Sequence, residues 1–169
     1  MKSMTHPQTD MAEDELKIPL DLSEWCAKQT LLAWIEDEIR NLDWSNTELV
    51  AYLRLHPAYQ PRMLLSLLTL AYATSIFESD EIVRLCYEDE TFRGLCSGPT
   101  PSPVELGRFR RENRGLLKHL LAQIFRRAVR QKFGLGEGLL PAGLRQFLTE
   151  TAGVRLDIAR HVDRAAGGA

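Results

Sequence analysis

The sequence predicts an all-α fold with no sheet, and three observations support this prediction. Apolar residues recur at three- and four-residue spacing in several segments, which is the period of a helix with one buried side. One segment, residues 61–74, is apolar on nearly every side, as expected for a helix at the centre of a domain. No segment shows the sustained alternation of apolar and polar residues that is typical of a half-buried strand. We therefore expect a multi-helix domain that contains a helix-turn-helix-like unit.

The N-terminal part begins with a polar segment, residues 1–17, which we expect to be a flexible tail. Asp21 followed by Glu24 resembles a capping box, so a helix start is expected there. Apolar positions at helical spacing then predict an amphipathic helix over residues 22–40. A turn and a second helix over residues 47–55 are expected to follow.

The central segment is bounded by residues that favour particular helix ends. Pro57 and Pro61 predict an extended link, and Pro61 suits the first turn of the apolar helix over residues 61–74. Ser79 is expected to cap the next helix, whose first turn contains two acidic residues that suit the helix dipole. The run SGPTPSP over residues 97–103 ends that region as a turn.

A basic helix is predicted from Ser102 or Pro103 to about Phe133, and Gly115 is a point at which it could bend or divide in two. One face of this helix is apolar. The opposite arc carries six cations: Arg108, Arg111, Arg114, Lys118, Arg126 and Arg130. Arg110 and Arg127 fall at the edges of the apolar face, where a long side chain can extend along the surface.

The C-terminal part, residues 134–169, is predicted to form a glycine-rich hinge followed by short helices over residues 144–148 and 154–162. The expected organisation is therefore a flexible tail over residues 1–17, a helical domain over residues 18–133, and the hinge with its short helices over residues 134–169. Nothing in the chain is long and apolar enough to predict a membrane span.

The distribution of charge is asymmetric although the net charge is only −2. Residues 1–60 carry 5 Lys/Arg against 11 Asp/Glu, whereas residues 101–132 carry 9 Lys/Arg against 2 Asp/Glu. A segment with this excess of positive charge is typical of proteins that bind a polyanion. The alternative is a solvated basic face, or one that docks on an acidic partner or on the acidic N-terminal helix of the same chain.

Catalytic and metal-binding motifs are not predicted. The three cysteines are scattered and form no CxxC pair, which is typical of reduced thiols and of a cytoplasmic protein. The carboxylates of residues 36–38, 80–81 and 88–90 are adjacent in sequence, so neighbouring side chains point to different sides of a helix. The histidines lack metal-ligand spacing, and GLGEG lacks the preceding strand of a phosphate-binding loop. We expect no cofactor, no metal and no catalytic residue.

Six features occur in a fixed order: His56-Pro57, a Leu-rich helix, Ser79 with Glu81-Ile82, Phe92-Arg93, Pro101, and Arg108-Phe109-Arg110. Together they resemble the N-terminal, InsH-like domain of insertion-sequence transposases, over roughly residues 20–133. Where that family commonly has Asp and Thr, this chain has Ser102 and Glu105. A glutamate at the front of a DNA-contacting helix repels phosphate or accepts a hydrogen bond from cytosine.

The resemblance implies a protein that recognises the terminal inverted repeats of a mobile element in double-stranded DNA. Full transposases of this type continue into an RNase H-like catalytic domain, and we expect this chain to depart from the family here, because it has neither the strands nor the length for that domain. The residues expected to contact DNA are Arg108, Arg110, Arg111, Arg114, Lys118, Arg126 and Arg130. The partners implied are DNA and either a catalytic transposase subunit or a second copy of the chain. The alternative function is a protein–protein interaction module, or a transposition inhibitor, whose basic face docks an acidic partner.

Overall fold

The described part of the chain is helical throughout. A computed structural model describes residues 17–43, 45, 60–96, 98–136, 138 and 140–167. The helices are α1 (Lys28–Arg40), α2 (Pro61–Ala73), α3 (Ser79–Glu88), α4 (Glu90–Leu95), α5 (Pro103–Glu112), α6 (Arg114–Lys132) and α7 (Ala142–Ala165). These residues contain no strand, and their one β-bridge joins Asp21 to Thr74. The predicted all-α class is confirmed.

Helix α2 occupies the centre of the fold, as its sequence predicts. Every residue from Pro61 to Ala73 is buried except Arg62. The helix contacts α1, α4, α5, α6 and α7, so apolar side chains are needed on all of its sides. Truncating one of its buried leucines to alanine would cost about 2–5 kcal/mol, because the cavity cannot be closed by one neighbouring helix.

The region around α1 differs from the prediction of one helix over residues 22–40. Asp21 caps only a short 3-10 helix, Leu22–Glu24, through its acceptance of the Ser23 backbone N–H at 2.9 Å. The chain is then extended at Ala27 (ψ 145°), and α1 begins at Lys28. This interruption accompanies the burial of Leu22 and Cys26 in the core. The helix predicted over residues 47–55 and the tail over residues 1–16 lie outside the described residues.

The predicted basic helix is divided in two, close to the glycine at which a bend was expected. Helix α5 ends at Glu112, and Asn113 is the junction with α6. The Asn113 side chain donates to the Phe109 carbonyl at 3.1 Å, as does its backbone N–H at 2.9 Å. The break therefore lies two residues before Gly115. An asparagine side chain that satisfies a helix-end carbonyl stabilises this ending.

The C-terminal part corrects the prediction of two short helices, because α7 is a single helix of 24 residues. Leu148, Ala152, Leu156 and Ala159 form a buried stripe along it, which packs on α6. Gly153 does not interrupt the helix. A Cβ added there would lie 3.3 Å from Cε of Lys118, so this position favours the residue without a side chain.

Helices α3 and α5 contact each other, with α4 between them in sequence. The helix-turn-helix-like unit stays a prediction for this part of the fold. None of the described helices combines the length and apolarity of a bilayer span.

Candidate nucleic-acid interface

The residues expected to contact DNA do not form one continuous outward arc. They separate into a group around the α5–α6 junction, a pair near the end of α6, and one arginine that is buried. Helix α7 lies along α6 and contacts several of the predicted cations. The sequence predicts a hinge at the start of this part of the chain, and so does not predict this contact.

Arg110 is the buried member, and in this structure its side chain faces α7 instead of the solvent. Its side chain is only 4% exposed, and Nη1 lies 2.5 Å from Oδ2 of Asp163 in α7. The same nitrogen lies 3.5 Å from the hydroxyl of Tyr72. Burial alone would lower the pKa of Arg110, but the contacts with Tyr72 and Asp163 raise it above its ordinary value. A cation held in this way has no face available to a phosphate.

Asp163 also provides the cap that Ser79 was expected to provide. Ser79 is the first residue of α3, and the preceding Glu78 makes no side-chain cap. The Asp163 carboxylate instead accepts the Ser79 backbone N–H at 2.8 Å and the Ser79 hydroxyl at 2.6 Å. A carboxylate at a helix N-terminus is stabilised by the helix dipole. The capping group is therefore 84 residues away in sequence.

The front of α5 is accessible to solvent. Ser102 caps the helix by accepting the Glu105 backbone N–H at 3.2 Å, and Pro103 occupies the first turn. Val104 is 66% exposed. Arg108 is 41% exposed at the side chain and lies 3.7 Å from Glu105. Arg111 is exposed. The three residues Val104, Arg108 and Arg111 follow i, i+4, i+7 spacing and so share one side of α5.

The start of α6 adds two cations that contact α7. Arg114 is 42% exposed, lies 2.9 Å from Asp157 and donates to the Gly153 carbonyl at 3.4 Å. The stem of Lys118 packs against Gly153. Both side chains therefore lie where α6 and α7 meet and are only partly accessible.

Helix α7 supplies two further cations that the sequence analysis missed. Arg160 is 53% exposed and lies 4.0 Å from Asp157, and Arg164 is exposed in the last turn. Their spacing of four residues indicates one basic face of a helix. This part of the chain, however, is one for which the sequence predicts only short helices. We call the six partly or fully exposed cations on α5, α6 and α7 the composite basic surface. Its members are Arg108, Arg111, Arg114, Lys118, Arg160 and Arg164.

Arg126 and Arg130 lie at the other end of α6, away from the composite basic surface. Arg126 donates to Gln123 at 2.6 Å and to the Thr149 hydroxyl at 3.4 Å. Arg130 donates to the Gly138 carbonyl at 3.2 Å. Their hydrogen-bond partners are thus uncharged. Two of these partners, Gly138 and Thr149, come after α6 in the chain.

Arg127 connects the acidic and basic parts of the chain. Its guanidinium lies 2.5 Å from Asp37 and 2.8 Å from Glu38, both in α1. The hydrogen bond from Arg127 lowers the pKa of Asp37. These residues line a groove of about 590 Å³ between α1 and α6. Because its guanidinium is already paired with two carboxylates, Arg127 is not available to a phosphate.

Two of the other acidic residues lie in surface ion pairs. Glu81 and Glu88 pair with Arg84 on the exposed side of α3. Across the described residues, no group of three or more His, Cys, Asp or Glu side chains is placed to hold a metal ion. His119 is exposed on α6.

The comparison with protein families gives the assignment. Residues 21–112, more than half of the chain, match the family described as Transposase domain (DUF772). The chain belongs to this transposase-domain family. No curated protein matches it, and no solved structure does. The match is consistent with the resemblance to an insertion-sequence transposase N-terminal domain.

The matched segment of the transposase domain ends at Glu112, which is the last residue of α5. It contains the exposed side of α5 but neither α6 nor α7. Arg110 lies inside the match, whereas its partner Asp163 lies outside it. The packing that fixes α5 therefore depends on residues beyond the family segment.

Proposed function

We propose that this transposase domain binds duplex DNA at the ends of a mobile element through the composite basic surface. In this proposal the chain supplies end recognition, and phosphoryl transfer belongs to a catalytic partner rather than to this part of the protein. The observation that carries the proposal is that six partly or fully exposed cations lie on α5, α6 and α7 of a chain that belongs to a transposase-domain family. Lys and Arg side chains that neutralise phosphates provide the sequence-independent part of such binding.

The front of α5 is the element we assign to base contacts. Val104, Arg108 and Arg111 share its solvent-facing side, and the opposite side is fixed by buried Leu106 and Phe109. Arginine can donate two hydrogen bonds to guanine, and an apolar side chain can contact the methyl group of thymine. Glu105, held near Arg108, would then reject a phosphate at that position or accept from a cytosine amino group.

The test is a DNA-binding titration at about 50 and about 200 mM salt, with the flanking inverted repeat and a scrambled duplex of equal length. If four to six phosphates are contacted, log affinity should fall with log salt at a slope of roughly −4 to −5. Preference for the inverted repeat supports end recognition. Absence of binding at either salt contradicts the proposal, and equal binding of both duplexes contradicts its sequence-specific part.

Two matched double variants locate the surface. Arg108→Ala/Arg111→Ala removes two cations of the composite basic surface and should flatten the salt slope by about 2 units. Lys17→Ala/Arg40→Ala removes two exposed cations elsewhere and should leave the slope unchanged. Circular dichroism and the unfolding midpoint establish that both variants are folded. An unchanged slope in the first variant would remove α5 from the interface.

The alternative is a protein-interaction module or transposition inhibitor that docks an acidic partner. The observation that favours it is the pairing of Arg127 with Asp37 and Glu38, in which an acidic helix already docks on the basic one. Deleting the N-terminal part is not a clean test, since Leu31, Ile35 and Ile39 of α1 are core residues. The variant Asp37→Asn/Glu38→Gln retains the packing of α1. It should leave DNA affinity nearly unchanged under our proposal, because Arg127 is not part of the composite basic surface.

A further inference from the structure

Three arginines surround the connection between α6 and α7. Arg126 and Arg130 are one turn apart on α6, and Arg145 is in the first turn of α7. The first and third lie on facing helices, since Arg126 contacts Thr149, which is one turn after Arg145 on α7. The Thr149 hydroxyl accepts from Arg126 Nη2 at 3.4 Å and donates to the carbonyl of Arg145 at 3.0 Å. We call this set the arginine triad.

The arginine triad has no carboxylate partner among the described residues. Arg126 donates to Gln123, Arg130 to the Gly138 carbonyl at 3.2 Å, and Arg145 to the Leu140 carbonyl at 3.0 Å. In addition, the Nε atoms of Arg126 and Arg130 are buried without an acceptor. Buried donors of this kind are rare in native proteins, and the oxygen atoms of a bound oxyanion can accept from them.

The electrostatics of the arginine triad also favours an anion. Burial lowers the pKa of Arg126, and the charges of Arg145 and Arg130 lower it further. Glu38 acts in the opposite direction, but its carboxylate already binds Arg127. Arg110 and Arg127 each bind a carboxylate, whereas the buried Arg155 donates to backbone carbonyls. None of the three guanidinium groups of the triad forms an ion pair within the described residues.

We propose that the arginine triad is a binding site for a phosphate-class oxyanion, separate from the composite basic surface. Planar guanidinium groups bind phosphate through paired, charge-assisted hydrogen bonds. The N-terminus of α7 lies in the same place and has no side-chain cap, so its dipole adds to the positive field. This proposal does not depend on the proposed DNA function. The oxyanion can be a phosphate of the DNA backbone or a small phosphate compound.

The two sites are distinct on geometric grounds. Lys118 and Arg126 are eight residues apart on α6, which corresponds to roughly 12 Å along the helix axis. At 100° per residue, Arg126 and Arg130 are also rotated by about 120° from Arg114 and Lys118. A single phosphate therefore cannot bridge the two sets.

The experiment is thermal unfolding of the full chain in increasing inorganic phosphate, with ionic strength held constant by sodium chloride. We expect phosphate to raise the Tm of the wild type, because a ligand that binds only the folded state stabilises it. In Arg126→Gln/Arg145→Gln, the apparent affinity for phosphate should fall by roughly tenfold or more. The control Arg40→Gln/Arg84→Gln, which removes two exposed arginines outside both the triad and the composite basic surface, should respond like the wild type.

A purely structural role of these arginines gives a different result. It would lower the Tm of Arg126→Gln/Arg145→Gln equally at every phosphate concentration. In our proposal the variant melts no lower than the wild type without phosphate, since repulsion within the triad is relieved. Either an absent phosphate effect in the wild type or an equal effect in wild type and variant overturns the proposal.

The source of the oxyanion is then identified with duplex DNA and the same variant. Weaker duplex binding by Arg126→Gln/Arg145→Gln, together with competition between duplex and phosphate, identifies a backbone phosphate. Unchanged duplex binding together with a lost phosphate response identifies a small phosphate compound. Failure of the wild type to bind any duplex would contradict the proposed function and leave the phosphate result valid.

Discussion

Arg110 of α5 and Asp163 of α7 form a buried ion pair, with 2.5 Å between Nη1 and Oδ2 and side-chain exposures of 4% and 10%. The same carboxylate accepts both hydrogen bonds of Ser79 at the start of α3. One residue thus joins three helices that are distant in sequence. The orientation of α5, whose outer side we assign to DNA, is fixed by this pair and not by α5 alone.

Replacing Asp163 by alanine should lower the free energy of unfolding by about 3–5 kcal/mol, because the Arg110 charge would be left buried and unpaired. The α3 cap would be lost as well. The measurement is equilibrium unfolding in denaturant. Asp157→Ala is the matched control, since its carboxylate is 53% exposed and its loss should change stability by less than about 1 kcal/mol.

The paired variant Arg110→Met/Asp163→Leu separates the charge from the packing. Two apolar residues of similar volume leave no unpaired charge, so much of the stability lost in Asp163→Ala should return. If the paired variant is as unstable as Asp163→Ala, loss of the α3 cap and packing is the main cause and our electrostatic explanation is wrong.

Asp157 is predicted to weaken DNA binding in the wild type, since its carboxylate lies 2.9 Å from Arg114 and 4.0 Å from Arg160. Asp157→Asn removes a negative charge from the composite basic surface and releases both arginines. Affinity for duplex DNA should rise by roughly two- to fivefold, with a salt slope steeper by about one unit. Damage to the fold cannot produce tighter binding. Unchanged or weaker binding would place the DNA elsewhere.

Helix α7 should be indispensable for a stable fold, although it lies outside the family match. A chain that ends at residue 133 loses Asp163, the buried stripe of α7 and Arg155. We expect such a chain to unfold without a cooperative transition and to bind a hydrophobic dye. A cooperative transition near the wild-type midpoint would instead support residues 18–133 as a domain that folds by itself.

Arg155 illustrates what the sequence could not predict. It is 3% exposed and donates to the carbonyls of Tyr72 at 2.8 Å, Pro19 at 2.9 Å and Leu20 at 2.5 Å. It also lies over the Phe125 ring at 5.0 Å. In sequence it is one charged residue among several in the C-terminal part. Its acceptors are backbone atoms, so no complementary side chain marks the contact.

The elements with a strong local signal were predictable, and those fixed by distant contacts were not. The bounds of α2 follow from Pro61 and an apolar run, and α3 begins at Ser79 as expected. In contrast, the burial of Arg110 depends on a carboxylate 53 residues away. Helical spacing alone predicts that Arg110 lies at the edge of the apolar face. Whether its side chain points to solvent or into the core depends on the position of α7. Arg126 and Arg130 are separated from the cations of α5 by their position near the other end of α6.

Tyr72 predicts how stability depends on pH at the alkaline end. Burial raises its pKa to about 12, whereas an exposed tyrosine ionises near pH 10. Between these values the unfolded chain has released the phenolic proton and the folded chain retains it. The protonated Tyr72 therefore makes its full contribution to the free energy of unfolding below about pH 10. This contribution is lost as the pH rises through about 12, and the total loss is about 2–3 kcal/mol.

The variant Tyr72→Phe should not show this loss, because it has no phenolic proton to release. At neutral pH it should be only slightly less stable, since the Tyr72 hydroxyl is 3.5 Å from Arg110 and the bond is weak. The measurement is denaturant unfolding of both proteins at several pH values above neutrality. Burial also lowers the pKa of Arg155 to about 10, which has the opposite effect on stability but is common to both proteins. The difference between wild type and variant isolates Tyr72, and parallel curves would show that this residue ionises normally in the fold.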